Sequence, residues 1–291
     1  MEPRAARRVS TGRITPFWIG LALVAGLYLA FLVALIGSTA TYTTPRQIWE
    51  VLRSDEIRYS IWLSLISCSV SALFALLLAV PVGYLLSRGK FRGKALLDAA
   101  LDIPIVLPPM VVGLCLLIFF QTRAGKFVDE SIPDAMRGMG LDAWLTGKPF
   151  PLHTRTFTYT VLGVVLAQFV IGAAFAVRTM RGVFDHLSSR PEDVAMTLGC
   201  SRGQAVRMVT LPAAKRGMFA AFSIAWARSL GEFGPILVFA GATRLKTEVL
   251  STSVFLELSV GRLEAAVAVS LLMVALALVV LVAVRLLGER I

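Results

Sequence analysis

Six stretches of the chain stay apolar for about twenty residues or more, the length a helix needs to cross a bilayer. They are Pro16–Gly37, Ile57–Ser87, Ala99–Gln121, Phe157–Met180, Gly217–Ala240 and Ala265–Leu287. The second is overlong and carries Pro81 and Gly83 near one end. The third is interrupted by Pro104, Pro108 and Pro109, each of which removes a backbone donor or clashes with the preceding turn. The expected fold is an all-α integral membrane protein of six transmembrane helices. Residues 1–56 are expected to hold a tail, the first helix and an outer loop, and residues 288–291 a short tail. Residues 57–287 form the main membrane domain. The longest connection, 122–156, has mixed charge and too few apolar residues to span, and a short surface helix is expected near Ser131 to Met139.

Composition agrees with this reading. The hydrophobic fraction is 57%, against about 45–50% for soluble domains, and the mean hydropathy is +0.77. The net charge of +11 is placed in clusters. Arg4, Arg7, Arg8 and Arg13 precede the first span, and Arg88, Lys90, Arg92 and Lys94 follow the second. Arg178, Arg181, Arg190, Arg202, Arg207, Lys215 and Arg216 surround the loop after the fourth. Basic residues on alternate connections mark the cytoplasmic side, which is therefore expected to hold both termini. No nucleic-acid-binding motif surrounds these clusters, so a nucleic-acid partner is not expected. The basic start and long apolar run of the N-terminus read as an uncleaved first span, since cleavable signals have shorter cores.

Cys68, Cys115 and Cys200 are scattered and odd in number, so they read as small hydrophobes rather than as a disulfide or metal framework. His153 and His186 are isolated, and no metal site is expected. The segment Gly89-Lys90-Phe91-Arg92-Gly93-Lys94 has one residue too few between its glycines to build a phosphate-cradling loop, and Ala95 follows it. No nucleophile–base pattern is present, so no catalytic residue is expected. If transport is active, the nucleotide chemistry lies on another chain.

The loop 185–217 contains two signals for short helices outside the membrane. Ser189 and Glu192 have capping-box spacing with Pro191 in the first turn, and Ser201 and Gln204 repeat the spacing. Gly199 sits where a left-handed cap would end the first helix, and the second should stop near Leu211-Pro212. Val194, Ala195 and Leu198 share one face of the first helix. Periodicity alone leaves two readings of that face, a docking surface for a partner groove or an interfacial helix lying on lipid. In the fifth span, Arg228 and Glu232 are one helical turn apart, where a charge costs about 2.5–3.5 kcal/mol. Gly231, Gly234 and Pro235 weaken the helix beside them. These residues read as a translocation-path segment or as an ion pair pinning the span to a neighbour.

The loop resembles the EAA loop of binding-protein-dependent ABC importer permeases. That family's pattern is Glu-Ala-Ala, three residues, glycine, nine residues, an aliphatic, one residue and Leu-Pro. Here Asp193-Val194-Ala195, Gly199, Val209 and Leu211-Pro212 fall at those spacings. Asp193 and Val194 depart mildly, and Glu192 stands beside Asp193 as a second acid. The general likeness covers about Ile57 to Leu287. It implies a multi-pass inner-membrane subunit of the type I importer fold, with Glu192, Asp193, Val194, Ala195, Leu198, Gly199, Leu211 and Pro212 in a cytoplasmic coupling helix–turn–helix. The implied partners are a cytoplasmic ABC ATPase dimer, a periplasmic binding protein and a second permease copy or paralogue. ATP and magnesium would sit on the ATPase, leaving this chain without a cofactor.

The stretch Arg228 to Gly234 resembles the equivalent segment of sulfate and molybdate permeases. Lys246-Thr247-Glu248-Val249 is similar to the sulfate branch and Asp102 to Pro109 to the molybdate branch. Pro235 departs, since those relatives carry alanine after Phe-Gly. The resemblance implies a tetrahedral oxyanion (molybdate, sulfate or tungstate) with Arg228 and Ser229 as candidate contacts and Gly231, Glu232, Pro108 and Pro109 along the path. An ion-gradient-driven secondary transporter would keep the spans and Glu232 but leave the capped loop unexplained. A membrane enzyme would need a catalytic constellation that the sequence lacks.

Overall fold

A computed structural model describes residues 16–138 and 156–289. The N-terminal arginines, Met139, His153, and the Lys148, Pro149, Pro151 and Arg155 part of the outer loop lie outside the described residues. Among the described residues the secondary structure is helical throughout. In chain order the helices are α1 (Pro16–Ala40), α2 (Pro45–Arg53), α3 (Asp55–Arg88), α4 (Lys94–Val106), α5 (Pro109–Phe119) and α6 (Arg123–Gly138). Then come α7 (Val161–His186), α8 (Arg190–Thr197), α9 (Arg202–Ala205), α10 (Leu211–Ala213), α11 (Lys215–Leu230), α12 (Leu250–Ser259) and α13 (Leu263–Glu289). The four long apolar helices, α1, α3, α7 and α13, are each long enough to cross a membrane.

The other two predicted spans are not straight helices. The third divides into α4 and α5, which meet at an angle of 110°. Pro108 and Pro109 make the break: Leu107 and Pro108 are extended, and Pro109 starts α5 at a position where its missing N–H costs nothing. The fifth divides into α11, an irregular stretch 231–235 and a π-helical turn, Ile236–Ala240. The expected surface helix near Ser131 is the end of α6, which begins eight residues earlier; Asp129 holds it down by accepting from the Phe157 N–H (2.7 Å) and the Thr158 hydroxyl (3.1 Å).

The core is a seam between α3 and α7, with α11 laid across it. Most buried positions of α3 are small, among them Ser60, Ser64, Ser67, Ser71, Ala75, Ala79 and Gly83 at three- and four-residue spacing, with Ile57, Leu63 and Leu86 the large exceptions. Its large residues, Leu73, Phe74, Leu77 and Leu78, point outward. Lipid is as apolar as leucine, so helices gain by close backbone approach and interhelical hydrogen bonds rather than by hiding large side chains. The Ser71 hydroxyl donates to the Val165 carbonyl of α7 at 2.6 Å, and the Trp226 indole of α11 donates to Ser69 at 3.2 Å.

The two broken segments also meet by backbone approach. A Cβ on Gly113 would sit 2.7 Å from Pro235 Cα, and one on Gly234 would sit 2.9 Å from the Met110 N. We expect Gly113→Val to lower the unfolding midpoint in detergent by several degrees, about 1–3 kcal/mol for overpacking. Gly182→Ala on α7, where a Cβ meets open space, should leave it unchanged or raise it.

Candidate functional site

Two sets of predicted residues form distinct sites. The first is the loop after α7. Helix α8 ends in a left-handed cap: Gly199 has φ +95°, its N–H donates to the Met196 carbonyl, and the Cys200 N–H reaches back to Ala195 at 3.1 Å. Ser201 and Gln204 form the expected capping box at the start of α9, with the Ser201 N–H donating to Gln204 Oε1 at 2.8 Å. The expected box at Ser189 does not form. Ser189 is already helical, its side chain makes no cap, and Glu192 turns inward instead. Its carboxylate accepts from the Tyr84 hydroxyl of α3 and from the Thr210 hydroxyl at 3.1 Å. Two hydroxyl donors outcompete a single backbone N–H for a buried carboxylate.

The helix begun at α9 also runs past Leu211-Pro212 rather than stopping. A π-helical turn, Val206–Thr210, puts the Leu211 N–H on the Val206 carbonyl, and α10 then passes through Ala214 into α11. Widening the turn makes room for the proline ring and for its missing donor. The loop is therefore mechanically continuous with α11. The face expected to be apolar is open: Val194 is 56% and Leu198 81% exposed, with Asp193 exposed beside them and Ala195 half-buried. Glu192, adjacent in sequence, is only 6% exposed.

The second site is the break after α11. Arg228 Nη1 lies 2.7 Å from Glu232 Oε1, with the arginine side chain 33% and the glutamate 1% exposed. The guanidinium also stands over the Phe175 ring of α7, 5.6 Å from its centroid. Removing one partner of a buried pair strands the other, at about 3–5 kcal/mol. Ser229 is fully buried, its hydroxyl close to Gly172 of α7, while the Gln168 amide donates to its carbonyl at 3.3 Å. Gly231 is exposed, as are Pro108 and Pro109 at the α4–α5 bend. The Gly113–Pro235 and Gly234–Met110 approaches, 122 and 124 residues apart in sequence, bring the two breaks into one place. The arrangement offers one partly exposed cation beside non-helical backbone and contains no nucleophile–base pair.

Sequence reasoning missed the polar anchor around the connection 241–249. Arg244 binds Glu56 at the start of α3 and Glu257 of α12, the latter at 3.0 Å. Glu248, fully buried, accepts from the Ser253 hydroxyl at 2.8 Å. The stretch Lys246-Thr247-Glu248-Val249 resembles the sulfate branch as a motif only. Its buried carboxylate leaves no periodic signal.

The pattern of the family described as binding-protein-dependent transport system inner membrane component matches residues 75–291. The chain belongs to this family. It is an ABC importer permease related to sulfate and molybdate permeases, and a multi-pass inner-membrane protein. It is 31% identical to the sulfate transport system permease protein CysT of Escherichia coli K12, over 98% of this chain and 96% of that one. A probable molybdenum ABC transporter permease of Haloferax volcanii is also 31% identical, over 99% and 97%. The molybdenum transport system permease ModB of Mycobacterium tuberculosis is 30% identical, over 92% and 93%. Among solved structures, a bacterial ABC transporter that imports the acidic polysaccharide alginate has the same fold, with a TM-score of 0.68 at 18% identity over 96% and 97% of the chains.

Two predictions follow from local geometry. No atom lies within 4 Å of where a Gly199 Cβ would sit, so a substitution there is strained by φ alone. Gly199→Val should insert normally yet cut transport about tenfold or more relative to ATP hydrolysis, with Gly199→Asn milder; uptake and phosphate release from the same vesicles measure the ratio. Burial pushes the Glu248 carboxyl above its usual 4.5, against the Ser253 hydrogen bond and the Arg244 charge, and Glu56 and Glu257 push it the same way. The folded state then holds the Glu248 proton more tightly than the unfolded chain. The stability this gives is complete below pH 4.5 and is lost as pH rises through the folded value. Glu248→Gln should flatten the fall of the unfolding midpoint as pH rises above 4.5.

Proposed function

We propose that the chain is the membrane pore subunit of an importer for a tetrahedral oxyanion, sulfate or molybdate, driven by a separate ATPase. The observation that carries this is the docking helix α8. It is capped by Gly199, anchored by Glu192 and continuous with α11, and it presents exposed Val194 and Leu198. A rigid helix with an unpartnered apolar tip is built to receive a push, and a cleft on a cytoplasmic ABC ATPase dimer supplies one.

In this reading the chain crosses the membrane six times, with the two broken segments counted as crossings and both termini cytoplasmic. The arginines and lysines around 178–216 put the α8 loop on the cytoplasmic side. ATP and magnesium bind the ATPase, and the chain has no catalytic residue of its own. Closure of the ATPase dimer displaces α8. The π turn and α10 carry that displacement into α11, and so into the break at 231–235, where Gly234 touches the α4–α5 bend. A path lined by Pro108, Pro109, Arg228, Gly231 and Glu232 opens and closes there. Arg228 offers one charge to the anion and is itself paired to Glu232. A pathway must release its cargo, so a half-neutralised arginine suits passage better than a free one. Ser229, whose hydroxyl faces α7, joins these contacts only if α11 turns. Selectivity comes from a periplasmic binding protein, and the alginate importer among the structural neighbours was crystallised with a periplasmic protein. Near-full-length likeness to both sulfate and molybdenum permeases supports the oxyanion class. A second permease, a copy of this chain or a paralogue, completes the pore.

The test is uptake into proteoliposomes that contain the permease, its ATPase and its binding protein. Uptake of radiolabelled sulfate or of molybdate should require ATP and the binding protein. Uptake that persists without ATP under an ion gradient would favour a secondary transporter and overturn the proposal.

A further inference from the structure

The acidic pair Glu192-Asp193 starts α8, and the two side chains have opposite fates. Asp193 is exposed at the tip. Glu192 is buried with both oxygens committed, one to the Tyr84 hydroxyl and one to the Thr210 hydroxyl. Tyr84 belongs to the last turns of α3, 108 residues earlier in the chain. Its ring is braced edge-to-face by the fully buried Phe184 of α7, 5.6 Å between centroids. The hydroxyl is therefore fixed in place. Two further ties follow on the next turn of α3: Ser87 donates to Asp185 Oδ1 at 2.6 Å, and Arg88 donates to the Leu187 carbonyl at 2.5 Å.

We infer that Tyr84 is a positioning residue that fastens the docking helix α8 to the spanning helix α3 through the carboxylate of Glu192. This rests on the reading of α8 as the point where the ATPase pushes. Helix α8 has a covalent route into the membrane in each direction, back to α7 and forward through the π turn to α11. Both routes reach α3 only by way of α7 or α11, which pack against it, and neither ties α8 itself to α3. The Tyr84–Glu192–Thr210 chain supplies that third route. It bridges α3 to the π turn by way of α8, so a displacement of the tip moves α3 and α11 together. Without the Tyr84 hydroxyl, Glu192 keeps one donor, and a buried carboxylate short of a donor seeks water. Helix α8 then tilts against α3 under load, and part of each stroke is lost.

Tyr84→Phe removes the hydroxyl and keeps the ring on Phe184. Glu192→Gln keeps an acceptor for Tyr84 and a group for Thr210. In proteoliposomes holding the complete complex, ATP hydrolysis and uptake of radiolabelled sulfate and of molybdate are measured together, with the amount of co-purified ATPase as the measure of assembly. Tyr84→Phe should assemble and hydrolyse ATP normally while uptake per ATP falls about tenfold. Glu192→Gln should stay within about twofold of wild type. Combining Tyr84→Phe with Glu192→Ala should cost no more than Glu192→Ala alone. A Tyr84→Phe complex with wild-type uptake per ATP overturns the inference, and so does one that fails to capture the ATPase, since that marks a purely structural tyrosine. A wild-type complex that captures no ATPase, or takes up neither anion with ATP, instead overturns the importer reading and the inference with it.

Discussion

Lipid does not press helices together, so the α3–α7 seam has to be held by what the two backbones offer each other at close range. Serine, alanine and glycine at every third or fourth position of α3 allow that approach, and Ser71 converts it into a hydrogen bond to a carbonyl on α7. A larger residue at Gly83 would collide with Met180 and with the Arg181 backbone. The rest of the bundle is referred to this seam. Helix α11 crosses it with Trp226 bound to Ser69. At one end of α3, Tyr84, Ser87 and Arg88 hold the loop with α8. At the other, Glu56 and Ser64 hold the connection 241–249 and the start of α12, through Arg244 and the Leu250 N–H.

Against this rigid pair, the broken segments stand out as the places where backbone is free of the helical ladder. Non-helical backbone at membrane depth is tolerated only where protein buries it or a water-filled cavity hydrates it. The α4–α5 bend and the 231–235 break solve the problem jointly, because glycines at 113 and 234 let each pack against the other's main chain. The 231–235 break also adjoins the Arg228–Glu232 pair. An ion pair inside a bilayer needs polar surroundings, and interrupted helices provide carbonyls and N–H groups that intact ones do not.

Much of this was legible in the sequence. The four unbroken spans are predominantly apolar runs; the limits of three fall within about three residues of the helices, and the remaining helix, α7, continues six residues past its predicted end at Met180, to His186. Gly199 was readable as a left-handed cap because only a backbone conformation was at stake, and the Ser201 box because both partners are four residues apart or closer. What failed was each inference that local spacing alone had to decide. Ser189 and Glu192 have the spacing of a cap, but spacing cannot register that Tyr84, far earlier in the chain, offers a better donor. Pro212 has the look of a helix stop, but a π turn widens the helix around it. Hydropathy placed a span at 217–240, and it was Gly231, Gly234 and Pro235, not hydropathy, that marked the weak point where the helix breaks. Arg244 left no signal because its partners, Glu56 and Glu257, come from α3 and α12, and Glu248 left none because a buried carboxylate has no periodic pattern.

In the proposed reading, the same contrast separates the docking loop from the path. A coupling helix must fit one partner, so its cap, tip and continuation into α11 are held at fixed spacing within about twenty residues. A path must change shape and must not hold its cargo. The residues proposed for it are few, drawn from distant segments, and partly neutralised, as Arg228 is by Glu232 at 2.7 Å. A charge left free there would bind an anion and keep it. In the proposed reading, a charge paired one turn away exchanges partners as the helix moves, and anion release follows the motion of α11 rather than the strength of any single contact.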